Sequence, residues 1–227
     1  VSQKPLLVLF DIDGTLVDTQ GQGAGAFLSA VRELWDIDDD LSWMTFAGAT
    51  DLDLLDQIGR KFGTRDPALF FENYAARMRK SMDPEQVRVL PGVREILDRL
   101  HEHPDISLGL VTGNARETAY LKIAAARLDH YFPDGGFGDE HPVRAELVGL
   151  ALDRLKRAGE GQLNCALVGD TPKDILAAVV AEVLPIGVAT GRYTMEELIK
   201  VHQKSKVIDH MNGLAGCLND HFLVKYL

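Results

Sequence analysis

Apolar residues fall in two rhythms along the chain. Leu6 to Phe10 is an unbroken apolar, β-prone run, the pattern of a parallel strand buried on both faces. Comparable runs recur at Ile106 to Val111, Cys165 to Val168 and Ile186 to Ala189, with a weak strand or loop at Gly135 to Gly138. Helical spacing fills the intervals. Pro91-Gly92 marks a turn before the helix Val93 to Leu100, and a helix starting near Asn114 can be capped by that residue with Glu117 three positions on. Pro142 to Arg157 is expected to be amphipathic, with Val143, Leu147, Leu150, Ala151 and Leu155 on its apolar stripe. Thr171-Pro172-Lys173-Asp174 opens a further helix, and Thr194-Met195-Glu196-Glu197 forms a capping box for another. Repeated strand–helix units predict an α/β fold, a doubly wound parallel sheet with right-handed crossovers.

Residues 19–88 break the alternation. They hold no convincing strand but three helical patterns, Ala26 to Trp35, Leu52 to Phe62 and Leu69 to Met82. Gly21, Gly23 and Gly25 read as a flexible approach, and Pro84 and Pro91 punctuate the return. The division expected is an α/β core of residues 1–18 and 89–227 with an inserted all-helical cap of residues 19–88. A cap that closes over a site would exclude water and add substrate contacts.

Polar residues interrupt the strands at informative places. The first run ends in Asp11-Ile12-Asp13-Gly14-Thr15, and ligands of parallel sheets bind at the carboxyl ends of strands. Residues i and i+2 leave a strand on the same side, so Asp11 and Asp13 can share one ligand. Two close carboxylates in a half-buried site call for a cation between them. Asp11 is thus a candidate nucleophile and Asp13 a candidate acid/base beside a magnesium ion. Thr112 follows the second run and offers a hydroxyl, while Gly113 and Asn114 offer backbone N–H groups at a helix N-terminus, suited to an anion.

Composition narrows the partners. A chain of 227 residues can bury a sizeable core, and its formal net charge of −10 argues against a nucleic-acid surface. Any anionic substrate must then be drawn in by a local cluster of cations and helix termini. Cys165 and Cys217 are too few for a disulfide framework, and Cys165 reads as a buried thiol. No apolar run approaches the ~18 residues of a membrane span, and the first residues lack a basic-then-apolar signal pattern. A reducing, cytoplasmic setting without membrane contact is expected; oligomeric state is left open.

Three motifs carry a resemblance over nearly the whole chain. Asp11-Ile12-Asp13-Gly14-Thr15-Leu16-Val17-Asp18 resembles the first motif, D-x-D-G-T-L-x-D, of the haloacid dehalogenase-like hydrolases. Thr112 at a strand end resembles their second, and Gly169-Asp170-Thr171-Pro172-Lys173-Asp174 their fourth, G-D-x-x-x-D. The resemblance implies a phosphatase of the phosphoglycolate phosphatase and beta-phosphoglucomutase-like branch, acting on a small phosphorylated metabolite. It implies that Asp11 attacks phosphorus to give an aspartyl-phosphate and that Asp13 protonates the leaving alcohol and later deprotonates water. It also implies magnesium (Mg2+) held by Asp11, the Asp13 carbonyl, Asp170 and, directly or through water, Asp174. A sugar phosphomutase of the same fold, or a binding or regulatory protein without turnover, are the alternative readings.

Two departures qualify the match. The family's third motif is a lysine near a helix start, yet no lysine lies between Lys122 and Lys156. The best-placed cation is Arg144, expected to reach the phosphate and the Asp11 carboxylate. Glu182 stands where related sequences commonly close a helix with glycine in a left-handed conformation. The loop Ala47-Gly48-Ala49-Thr50-Asp51 is expected to face the substrate.

Overall fold

The computed structural model describes residues 4–63, 66–156 and 163–222. In chain order they form β1 (Leu6–Phe10), β2 (Val17–Asp18), α1 (Gln22–Trp35), α2 (Asp51–Phe62), α3 (Pro67–Ser81), β3 (Arg88–Val89), α4 (Val93–Glu102) and β4 (Ile106–Val111). They continue with α5 (Arg116–Ala125), β5 (Gly135–Gly136), α6 (Arg144–Leu155), β6 (Asn164–Gly169), α7 (Pro172–Val180), β7 (Leu184–Val188), α8 (Met195–Ile199), β8 (Lys206–Ile208) and α9 (Leu214–Phe222). Six strands make one sheet in the order β5-β4-β1-β6-β7-β8, and every pairing in it is parallel. The doubly wound α/β architecture read from the sequence is the one observed. All five residues of β1 are buried, as its position in the middle of the sheet requires.

Apolar clusters cover both faces of the sheet. Val8, Phe10 and Leu110 pack toward α4, α5 and α9 through Ile96, Leu97, Ile123 and Leu214. Leu7, Leu9 and Leu167 face α6 and α7 through Leu147, Val148, Ala151 and Ala178. A third cluster has its buried members within residues 26–78, centres on Phe27, Ile58, Phe70 and Tyr74, and takes in Leu121 of α5 at its edge. There Phe27 meets Phe70 and Tyr74 edge-on, with ring centroids 4.9 and 5.5 Å away. Helices α1–α3 therefore bury an apolar centre of their own. The chain leaves for them through β2 and returns through β3, paired antiparallel at Val17↔Val89 and Asp18↔Arg88.

Several local expectations shift. Gly23 and Gly25 lie inside α1, and only Gly21 before it is left-handed, at φ 79°, so the glycines are part of a helix rather than a flexible approach. α6 starts at Arg144, and Val143 is its exposed N-cap rather than part of its apolar stripe. The expected end at Arg157 lies outside the described residues. Strand β8 and helix α9 were not anticipated; three half-exposed residues of an edge strand give little periodic signal. Glu182 is left-handed, at φ 57°, so the end of α7 keeps the backbone for which glycine is favoured.

Candidate active site

Parallel register brings the polar strand ends together. Phe10 pairs with Leu110 on one side and Val168 on the other, so Asp11, Thr112 and Asp170 emerge at the same edge of three neighbouring strands. They line a chamber of about 500 Å³ that also takes in Asp13, Lys122, Arg144 and, from the helical segment, Ala47, Gly48, Ala49 and Asp51. The expected substrate-facing loop is thus at the chamber wall. Gly14 turns the chain after Asp13 at φ 77°, and a side chain there would collide with the Asp170 carboxylate. Glycine is required at this point for both reasons.

One half of the chamber is an acidic cluster around a single guanidinium. Asp11, Asp170 and Asp174 are all buried, with one carboxylate oxygen of each within 4.8 Å of the others. Arg144 lies among them: Nη1 donates to Asp174 Oδ1 and stands 3.5 Å from Asp11 Oδ1. Its Nε is buried and has no hydrogen-bond partner among the described residues. Asp174 is also the N3 residue of α7, its Oδ2 accepting from the Thr171 N–H at 3.0 Å and the Thr171 hydroxyl at 2.6 Å. Both of its oxygens are therefore engaged by the protein. Among the described residues Asp170 Oδ1 accepts only from the Thr15 hydroxyl, at 3.2 Å.

Burial and mutual repulsion leave this half short of positive charge. Desolvation pushes the Asp11 carboxyl up to about 6 in spite of Arg144, with Asp174 and Asp13 adding to the rise. Desolvation, Asp11 and Asp174 push Asp170 up to about 8. A donor set made only of oxygens, at least two of them on poorly compensated carboxylates, fits a hard divalent cation such as magnesium.

In the other half Lys122 pairs with Asp13. Lys122 Nζ donates to Asp13 Oδ2 at 2.5 Å and to Asn114 Oδ1 at 2.6 Å. Asn114 Nδ2 donates to the same Asp13 oxygen at 2.8 Å and to the Thr112 hydroxyl at 2.8 Å. Burial works to raise the Asp13 carboxyl, but the charge and hydrogen bond of Lys122, with Asn114 and Thr19, bring it below the usual carboxylate range. The expected capping role of Asn114 is corrected here. α5 has no side-chain cap; its first N–H groups go to Asp51 Oδ2, from Ala115 at 2.7 Å, and to Asp139 Oδ1, from Arg116 at 3.0 Å. With the capping work done by these two, the Asn114 amide is free to turn into the chamber.

Lys122 was not singled out from the sequence. Its signal is its place on α5, where Thr118, Ala119, Lys122 and Ile123 form the buried stripe, so a lysine occupies an apolar position at i, i+3, i+4 spacing. Asp51 was named only as part of a loop; it is buried, and desolvation first of all pushes its carboxyl up to about 7.

An α/β core with carboxylates gathered at the ends of its central strands puts the candidate active site where parallel sheets bind their ligands. Residues 8–188 match the family model described as haloacid dehalogenase-like hydrolase, and the chain belongs to that family. It is 30% identical over 242 residues to a phosphoglycolate phosphatase of Agrobacterium fabrum, covering 99% of this chain and 98% of that one. It is 28% identical over 232 residues to a phosphoglycolate phosphatase of Pseudomonas fluorescens, covering 96% and 81%. Among solved structures, a hydrolase from Pseudomonas syringae superposes with a TM-score of 0.69 at 22% identity, covering 96% of this chain and 99% of that one.

Proposed function

We propose that this chain is a magnesium-dependent phosphomonoester hydrolase that acts on a small phosphorylated metabolite through an aspartyl-phosphate on Asp11. The observation that carries the reading is the buried Arg144, which holds Asp11 and Asp174 with one nitrogen while its Nε has no partner among the described residues and its Nη2 lies against Gly113. A guanidinium with a free edge beside a nucleophile is suited to bind a phosphoryl group bidentately. The Thr112 hydroxyl and the Gly113 N–H, on the loop against that guanidinium, would complete the anion site. The names of the two relatives make phosphoglycolate the first substrate to try.

In the first half-reaction an Asp11 oxygen bonds to phosphorus as the bond to the leaving oxygen breaks. The electron pair of that bond and a proton from Asp13 both end on the leaving alcohol. In the second half a water gives its proton to Asp13 while its oxygen bonds to phosphorus, and the Asp11 carboxylate is released. Held below the usual carboxylate range by Lys122, Asp13 rests as the base; an entering phosphate dianion offsets that lysine and favours the protonated form. Asp11, the Asp13 main-chain carbonyl and Asp170 would hold magnesium, with Asp174 behind them. Bound there, the ion supplies positive charge to the phosphoryl oxygens. Residues 19–88 act as a cap whose loop at Ala47 to Asp51 excludes water from the chamber.

Phosphate release from phosphoglycolate, sugar phosphates and nucleotides, measured with and without magnesium, tests the reading. We expect magnesium-dependent turnover of at least one of them, and none by Asp11→Asn, since an amide cannot form the acyl-phosphate. An Asp11→Asn protein that retains near-full rate would end the covalent mechanism.

A further inference from the structure

Lys122 raises a question that the acidic cluster does not. It is a buried lysine in the middle of a core helix, only 5% of its side chain accessible, and it reaches the chamber through a gap in α1. The gap is Gly23: a Cβ there would come within 2.8 Å of both Cε and Nζ of Lys122. Tyr74, whose hydroxyl donates to the Gly23 carbonyl at 3.4 Å, closes the passage from the side of α3. A helix-interior glycine is unfavourable unless something must approach the backbone closely, and here the approaching group is the ammonium.

The ammonium and Asn114 converge on one oxygen. Lys122 Nζ and Asn114 Nδ2 both donate to Asp13 Oδ2, at 2.5 and 2.8 Å, and they bond to each other through Asn114 Oδ1 at 2.6 Å. Among the described residues Asp13 Oδ1 has only the Thr19 hydroxyl, at 3.4 Å. The Asp13 side chain is nevertheless 42% accessible from the chamber. We propose that Lys122 is a positioning residue for Asp13: with Asn114 it locks Oδ2 and thereby leaves Oδ1 as the one oxygen that exchanges a proton with the leaving group and with water. Gly23 is kept small to let this lysine through.

The inference rests on Asp13 as the acid/base of the proposed function, so its test separates the two. Lys122→Met keeps the length of the side chain without its charge, and Gly23→Ala leaves Lys122 in place but crowds its ammonium, in a helix that favours alanine. With p-nitrophenyl phosphate both variants should lose about 10–100-fold in kcat, part of the ~10²–10⁴-fold worth of a general acid–base group, with KM near wild type. In an Asp13→Ala background the same two changes should cost nothing further, because a residue acting through Asp13 has nothing left to position. A loss that persists in that background, a rise in KM at unchanged kcat, or wild-type rates in both variants overturns the proposal. If Asp13→Ala itself turns over like wild type, the acid/base assignment falls first, and the Lys122 proposal with it. A crystal structure of folded Lys122→Met should find the Asp13 carboxylate rotated, with Oδ2 no longer on Asn114; an unmoved carboxylate counts against the idea.

Discussion

Arg144 and Lys122 are both buried cations of the chamber, yet they stand in opposite electrostatic situations. Arg144 serves Asp11 and Asp174 and feels Asp170 as well; burial opposes its charge and the three carboxylates more than offset that. Even so, Asp11 and Asp170 stay above the usual carboxylate range. Lys122 pairs with one carboxylate, and Asp13 falls below that range, although its charge also reaches Asp51, which burial still holds up at about 7. The Asp13 carboxylate itself is compensated without a further cation. The Asp11 half is short of positive charge, which is where a cation and then a phosphoryl group would enter.

The largest expected effect comes from removing the buried cation of the crowded half. Arg144→Ala should lower kcat/KM by about 10²–10³-fold, the scale found when a donor to a developing charge is lost. Arg144→Lys should recover part of it as a point charge without the bidentate edge. Because Arg144→Ala also strands buried carboxylates, at ~3–5 kcal/mol for a broken buried pair, rates are to be compared on protein shown to be folded by its thermal melt. Wild-type kinetics in both variants would mean that the two cations do not differ in the way described.

A smaller effect tests the charge deficit directly, without turnover. Burial pushes the Asp11, Asp51 and Asp170 carboxyls up to about 6, 7 and 8 in the folded protein, against ~3.9 when unfolded. Between about pH 4 and 8 the native state then holds more protons than the unfolded one, so metal-free stability should fall as pH rises through that window. Magnesium competes with those protons, so the rise in melting temperature that it causes should be greater at pH 8 than at pH 5. At a hundred times its dissociation constant the ion would add ~2.7 kcal/mol. Asp170→Asn should flatten the metal-free pH slope and shrink the magnesium shift. Equal shifts at both pH values, unchanged in Asp170→Asn, would count against an ion in this half.

The two halves were also unequally legible in the sequence. Asp11, Thr112 and Asp170 each end an apolar run, and a parallel sheet has one carboxyl edge, so the strand pattern alone brings them together. Arg144 could be placed because a helix start was visible near Pro142. Lys122 could not, because a helical lysine is a solvated residue unless the buried stripe is known, and that stripe is set by long-range packing: Ala119 and Ile123 join the sheet cluster, while Gly23 of α1 stands against the Lys122 ammonium. Asn114 was misread for a related reason. Its capping work is done by Asp51 and Asp139, 63 residues before and 25 after it, and no local pattern reveals such a long-range cap.

The smallest expected effect lies at the far end of the helix that supplies Asp174. α7 begins at the chamber with the Thr171–Asp174 capping box and ends with Val183 N–H donating to Ala178 O at 3.0 Å around a left-handed Glu182. A residue with a Cβ pays ~1–2 kcal/mol in that conformation. Glu182→Gly removes the strain but adds freedom to the unfolded chain, worth ~0.4–1 kcal/mol in the opposite sense, and Glu182 is exposed, so no side-chain packing is lost. The net should be a gain of up to about 1 kcal/mol, a rise of roughly 2–4 °C in Tm for a protein of this size. Glu182→Ala keeps the Cβ and should gain nothing. In both variants kcat should stay at the wild-type value, because the capping box fixes Asp174 at the opposite end of α7. A fall in kcat with Glu182→Gly would mean that Asp174, and through it Arg144, is held by the whole helix rather than by its first turn, and the Arg144 half would then be the more easily disturbed of the two.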